Sequence, residues 1–164
     1  MTMAITPDLQ RAFQLLAVGV DTDRPAPMPD TPEELRTLVE EQGLDAWRPL
    51  LANIAVNPFG PDAGRLAELA DEAGLEDAAR ALEACTTEFR RQFEDSEREE
   101  VSQEIKDLLA LCGYSQRRFA KYIGTSGPRL STYVNGLVIP SATMMVRIRR
   151  CATELAAETE QAAG

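Results

Sequence analysis

Histidine is absent from this chain, and cysteine and aromatic residues are scarce: three cysteines and 5% Phe, Trp and Tyr in 164 residues. Without imidazole there is no side chain whose ordinary titration falls near neutral pH, and the commonest zinc ligand is missing. Cys85, Cys112 and Cys151 are far apart, odd in number and contain no Cys-x-x-Cys spacing. They therefore suggest neither a disulfide framework nor a zinc site, and read as buried free thiols of a reducing cytoplasm. The low aromatic content argues against an aromatic-rich β fold. No apolar run approaches 18 residues, and the N-terminus lacks a charged segment followed by an apolar core, so neither a membrane span nor a signal peptide is expected. A nucleophile elbow, a phosphate-cradling glycine loop and a carboxylate dyad are also missing. The chain reads as non-enzymatic, with no metal and no cofactor.

What is present favours helices. Ala, Leu, Glu and Arg are abundant, and charged residues make up 27% of the chain. The net charge of −10 is unevenly spread. Residues 1–100 hold 22 acids against 9 arginines and no lysine, a balance of −13; residues 101–164 hold 5 acids against 8 bases, a balance of +3. Between 102 and 151 only Glu104 and Asp107 oppose eight bases, a local charge of +6. This predicts an acidic helical interaction domain over 1–96 and a basic domain over 97–164.

The acidic part is punctuated by helix signals. Thr6-Pro7-Asp8 opens a helix with a stripe of Leu9, Phe13 and Leu16. Pro25, Pro27 and Pro29 alternate in an extended linker over 21–30. Thr31-Pro32-Glu33-Glu34 is a capping box that opens a helix stopped by Gly43. Leu44 and Asp45 start the next, with Trp47, Leu50, Leu51 and Ile54 on one face, which places Trp47 in the core. After a loop at 57–61, a helix runs from Pro61 to Gly74, and the one after it carries Leu82, Cys85, Phe89 and Phe93 on its buried side. Leu-Val-Glu-Glu-Gln-Gly-Leu-Asp at 38–45 aligns with Leu-Ala-Asp-Glu-Ala-Gly-Leu-Glu at 69–76. Each copy is a helix end, a glycine stop and a helix start. The pair predicts two αα-hairpins in a small bundle, with chance recurrence of glycine-stopped helices as the competing explanation. At the acidic run 94–100, either Ser96 and Glu99 cap a fresh helix or one helix continues to Cys112.

Residues 114–141 read as two short helices joined by a tight turn. Ser115 caps a helix from Gln116 to about Ile123 whose apolar face is Phe119, Ala120 and Ile123. Gly124 stops it. Ser126 caps a second helix from Gly127 to about Asn135, with Leu130, Tyr133 and Val134 inward, and Gly136 ends it. Beyond Pro140, Ser141 caps a last helix lined by Met145, Ile148, Ala152 and Leu155. Arg147 and Arg150 lie off that stripe, where they could reach phosphates.

Ser115-Gln116, Phe119-Ala120, Ile123-Gly124, Ser126, Leu130-Ser131, Tyr133, Asn135-Gly136 and Pro140-Ser141 together resemble the Cro and phage-repressor helix-turn-helix, the XRE family. With its flanking helices the resemblance covers roughly residues 101–155. It implies an all-α fold in which the second helix lies in the DNA major groove and the first crosses the backbone. It also implies a DNA-binding set of Gln116, Arg117, Lys121, Ser126, Gly127, Arg129, Ser131, Thr132 and Asn135. Gln116 would meet a phosphate, while Gly127, Pro128 and Thr132 occupy positions that usually face base edges. Gly127 and Pro128 carry no donor, so readout would move to Arg129, Thr132 and Ser131, with more weight on DNA shape. The chain as a whole is therefore expected to be all-α: an acidic bundle of αα-hairpins followed by a phage-repressor-type helix-turn-helix domain. The leading functional expectation is a cytoplasmic, homodimeric repressor of transcription on double-stranded DNA, with a protein partner at the acidic domain. The alternatives are an antitoxin that neutralises a basic toxin through that domain, and a protein-binding adaptor whose helix-turn-helix is only a packing module.

Overall fold

A computed structural model describes residues 26–163 together with Arg11, Phe13, Leu16 and Ala17; of the side chains at 162 and 163 nothing is described. The four early residues are helical. The expected cap at Thr6-Pro7-Asp8 and most of the linker over 21–30 lie outside the described residues. Among the described residues the chain forms helices and no strands, and divides into two compact units, Met1–Phe93 and Glu94–Gly164.

In the first unit, α1 spans Pro32–Gln42. Thr31 Oγ1 accepts from the Glu34 amide at 3.2 Å, and the Glu34 carboxylate accepts from the Asp30 amide at 2.8 Å. This is the expected capping box, with the glutamate reaching one residue further back. Gly43 follows at a φ of 60°, and Gly74 holds the equivalent place in the second hairpin at 73°. Both are in the left-handed region, where a Cβ is strained, which is why the aligned glycines stop both helices. The sequel differs. Gly43–Ala46 is a 3-10 turn, and α2 begins only at Trp47, spanning Trp47–Val56; α3 spans Pro61–Glu72, and a single helix, α4, follows over Glu76–Cys112.

The two hairpins share a core. Leu35 and Leu66, one repeat apart, are both fully buried, and so are Leu51, Ile54 and Leu82. Trp47 is buried as expected and its ring lies 5.2 Å from that of Phe13. The Arg36 guanidinium donates to the Ala73 carbonyl through Nη2 at 2.7 Å and Nε at 3.2 Å, tying the end of the second hairpin to α1. The apolar stripe of α4 ends one turn early. Phe89 is in the core, but Phe93 is 40% exposed. It meets the Phe59 ring edge-on at 6.0 Å on the surface.

No break occurs at the acidic run: α4 continues through 94–100. The expected alternative of a fresh helix capped at Ser96 fails because no Gly or Pro interrupts residues 75–112, and the residues between are mostly good helix formers. Gly113 then ends the helix at a φ of 66°.

The second unit holds the end of α4, then α5 over Gln116–Tyr122, α6 over Gly127–Val134 and α7 over Ala142–Ala163. Its core joins Ile105 and Cys112 to Phe119, Ala120, Ile123, Leu130, Tyr133, Met145, Ile148, Ala152 and Leu155. Leu108, Leu109 and Val134 are only half-buried at its edge. No helix among the described residues is long and apolar enough to cross a membrane.

Candidate nucleic-acid interface

Two serines set the frame of the site. Ser115 Oγ accepts from the Arg118 amide and Ser126 Oγ from the Arg129 amide, each at 3.3 Å. Each contact satisfies one of the amides that a helix start leaves without a partner. Between the helices, Gly124 sits at a φ of 73°, and the Thr125 amide returns to the Ala120 carbonyl at 2.9 Å. Ala120 is fully buried, and its lone methyl lets two helices cross closely. Arg147 Nη1 donates to the Ile123 carbonyl at 3.2 Å, so α7 closes the end of α5.

This frame brings both helix starts to one concave surface, lined by Gln116, Arg117, Lys121, Thr125, Ser126, Gly127 and Pro128. Five of the expected site residues meet there. Arg117 and Lys121 are exposed, and neither has an ion-pair partner among the described residues. Two cations and two helix N-termini on one concave face form a surface suited to anions.

The remaining expected residues lie along α6 and differ in their freedom. Arg129 is exposed, and its Nε donates to Tyr133 Oη at 2.8 Å, an interaction that raises its pKa further. Thr132 is half-buried and its hydroxyl donates to the Arg129 carbonyl at 2.7 Å. Asn135 Nδ2 donates to the Ser131 carbonyl at 2.9 Å and to Ser131 Oγ at 3.2 Å. Thr132, Ser131 and Asn135 are thus bonded within α6, a property that residue type and position did not reveal.

The surrounding bases are also unequal. Arg149 holds Glu104 through two contacts at 2.5 and 3.0 Å. That hydrogen bond lowers the Glu104 carboxyl below its ordinary range and raises Arg149. Arg118 lies over the Tyr114 ring at 4.0 Å. Of the bases counted in the local +6, Arg147 and Arg149 therefore serve the fold, whereas Arg117 and Lys121 are left for an external anion.

A further support comes from α4. Ser102, buried, donates its hydroxyl to the Val134 carbonyl at 2.6 Å, satisfying the end of α6. Nothing local in the sequence signals this, because the two residues are 32 positions apart. Cys85 and Cys112 are buried as expected, whereas Cys151 is only half-buried; burial pushes the Cys85 thiol up to about 11 and also raises Cys151. Among the described residues no cluster of three or more metal-binding side chains occurs.

No curated protein and no solved structure matches the chain. Residues 105–151 match a family model described as helix-turn-helix, and the C-terminal part of this chain accordingly carries a helix-turn-helix of the XRE type.

Proposed function

We propose that the protein is a double-stranded-DNA-binding transcriptional regulator that acts as a repressor. α6 enters the major groove and α5 crosses the phosphate backbone. The observation that carries this reading is the single concave face where Gln116, Arg117, Lys121, Ser126 and Gly127 meet, on a unit that matches the helix-turn-helix model. Lys121 and Arg117 supply phosphate affinity, Gln116 and the helix starts fix register, and α6 reads bases. Residues 97–164 act as the DNA-binding domain despite the −10 net charge, because counterion release depends on local charge.

The homodimer belongs to the same reading. Leu137 is 70% exposed and is followed by exposed Val138 and Ile139. The Leu137 and Val138 amides are tied to the Thr132 carbonyl at 2.9 and 3.2 Å, so this apolar run is held in place. Covering it with a second copy would place two recognition helices on a pseudo-palindromic site. The acidic domain over 1–96 serves a protein partner of opposite charge. The same charge supports the second reading, an antitoxin whose acidic domain takes a basic toxin.

The test is selection of full-length protein on random duplex DNA, with binding to the selected sequences repeated over a salt series. An enriched pseudo-palindrome whose affinity falls steeply with salt is the expected result. Absence of both enrichment and salt-dependent binding would leave the helix-turn-helix as a packing module.

A further inference from the structure

The hydrogen bonds along α6 leave Arg129 as the side chain with two uncommitted donor nitrogens. Gly127 and Pro128 bring no polar side chain. Thr132 gives its hydroxyl proton to the Arg129 carbonyl, and Asn135 gives its amide protons to Ser131. Arg129 is the exception. Its Nε is bonded to Tyr133 Oη, while its two terminal nitrogens meet no partner among the described residues.

The partner of that bond cannot drift. Tyr133 is 3% exposed and packs in the core with Leu130, Phe119 and Ile148. Its ring is locked by packing, so the hydroxyl is a fixed acceptor one helical turn beyond Arg129. A guanidinium is planar with five donors in fixed directions. Holding Nε therefore restricts the plane of the group and leaves the outer nitrogens as a two-donor edge. Such an edge matches O6 and N7 of guanine in the major groove. A free arginine would lose much of its rotational freedom on forming the same pair; here part of that ordering is done before DNA arrives.

We infer that Tyr133 is a positioning residue that presets Arg129 as a guanine-reading fork, and that base selectivity is concentrated on this one arginine. The inference rests on the duplex-binding reading above and adds to it the base class and the residue that orients the reader. Thr132 and Asn135 then contribute to the shape of α6 more than to discrimination.

The experiment compares full-length wild type, Tyr133→Phe, Arg129→Ala and the double variant. Each is bound to the selected duplex and to one in which the guanine read by Arg129 is replaced, at several salt concentrations. Arg129→Ala should lose about 10- to 100-fold in discrimination, the scale of one bidentate pair. Tyr133→Phe keeps the ring and removes only the hydroxyl. It should lose about 3- to 10-fold in discrimination, the scale of ordering one flexible side chain. Its affinity for unrelated duplex and its salt slope should stay as in wild type, and the double variant should match Arg129→Ala. Wild-type discrimination in Tyr133→Phe overturns the inference, as does an equal loss on selected and unrelated duplex, which is the mark of a damaged fold. NMR of the unaltered protein is a second check: a freely rotating Arg129 Nε–H also overturns it. If the wild type selects no site at all, the duplex-binding reading itself falls; if it selects a site that Arg129→Ala loses and Tyr133→Phe keeps, only the role of Tyr133 falls.

Discussion

The two units of this protein are built from the same kind of element, yet their polar contacts fall in different places. The first relies on large apolar side chains: Trp47, Phe13, Phe89 and a set of leucines fill the space between two hairpins. Its long-range polar ties run from arginine and asparagine side chains to backbone carbonyls: Arg36 to Ala73, Asn53 to Ala26, Arg65 to Asp30 and Arg90 to Pro58. The second unit packs a smaller set of buried side chains around Phe119, Tyr133 and Ile148, and its helix starts and ends are closed by polar contacts from Ser102, Ser115, Ser126 and Arg147. Burial alone is non-directional and tolerates small shifts. Hydrogen-bonded caps and closures are directional and fix where helix ends lie. In the second unit two of these closures, from Ser102 and Arg147, fall on the ends of α6 and α5, the two helices whose starts line the concave face.

The chromophores divide in the same way. Trp47, the only tryptophan, lies in the first unit; Tyr114, Tyr122 and Tyr133, all the tyrosines, lie in the second. Phe119→Ala, which empties a fully buried ring site in the second core, should cost about 3–5 kcal/mol. If the units fold independently, the tyrosine near-ultraviolet signal is lost at lower denaturant while the midpoint of Trp47 fluorescence stays in place. A parallel shift of both signals would break the comparison, since the two cores would then be one cooperative system.

Charge offers a second, smaller contrast. Lys121→Ala should weaken binding to all duplexes alike and reduce the log–log salt slope by about one. Arg65→Ala in the first unit should leave both unchanged, as measured by fluorescence anisotropy over a salt series. Caps come next. Ser126→Ala and Thr31→Ala each remove a side-chain acceptor from a helix start and should each cost about 1 kcal/mol in thermal unfolding. Only the first should also lower DNA affinity, because Ser126 lines the concave face. Equal effects of both on DNA binding would mean that the two units do not divide the work as proposed.

The smallest expected effect is with pH. In the first unit Glu88 is held at about 2, chiefly by its hydrogen bond from Arg91 with Gln92 adding to it; in the second, Arg149 lowers Glu104. Both carboxyls are depressed, so their contribution to folding is complete above the ordinary carboxylate range and is lost as pH falls through the lowered values. NMR titration should find Glu88 still charged at pH 3, and Glu104 titrating below an ordinary glutamate. An ordinary midpoint for either would mean that its ion pair does not persist in solution.

Much of this was legible along the chain because it depends on near neighbours. Thr31, Ser115 and Ser126 cap helices for reasons contained in three or four residues, and Gly43, Gly74, Gly124 and Gly136 stop them because only glycine takes positive φ without strain. The apolar stripes of α2 and α7 found their core for the same reason. Phe93 did not: periodicity places it beside Phe89, but whether a stripe is covered at its last turn depends on what packs there, and Phe59 offers only an edge.

Most of the helices, the caps at Thr31, Ser115 and Ser126, the glycine stops, the split of charge and the helix-turn-helix register follow from backbone preference and from spacing within a few residues; the expected helix start at Leu44 and Asp45 gave way to a 3-10 turn. That Ser102 and Arg147 close the ends of α6 and α5, and that Arg149 is taken up by Glu104 while Arg117 and Lys121 have no ion-pair partner among the described residues, depends on packing between residues distant in the chain. The orientation of Arg129 by Tyr133 lies between the two. Their spacing was visible, but a hydrogen bond needs a defined distance and direction, and only the packing of the ring in its core supplies both.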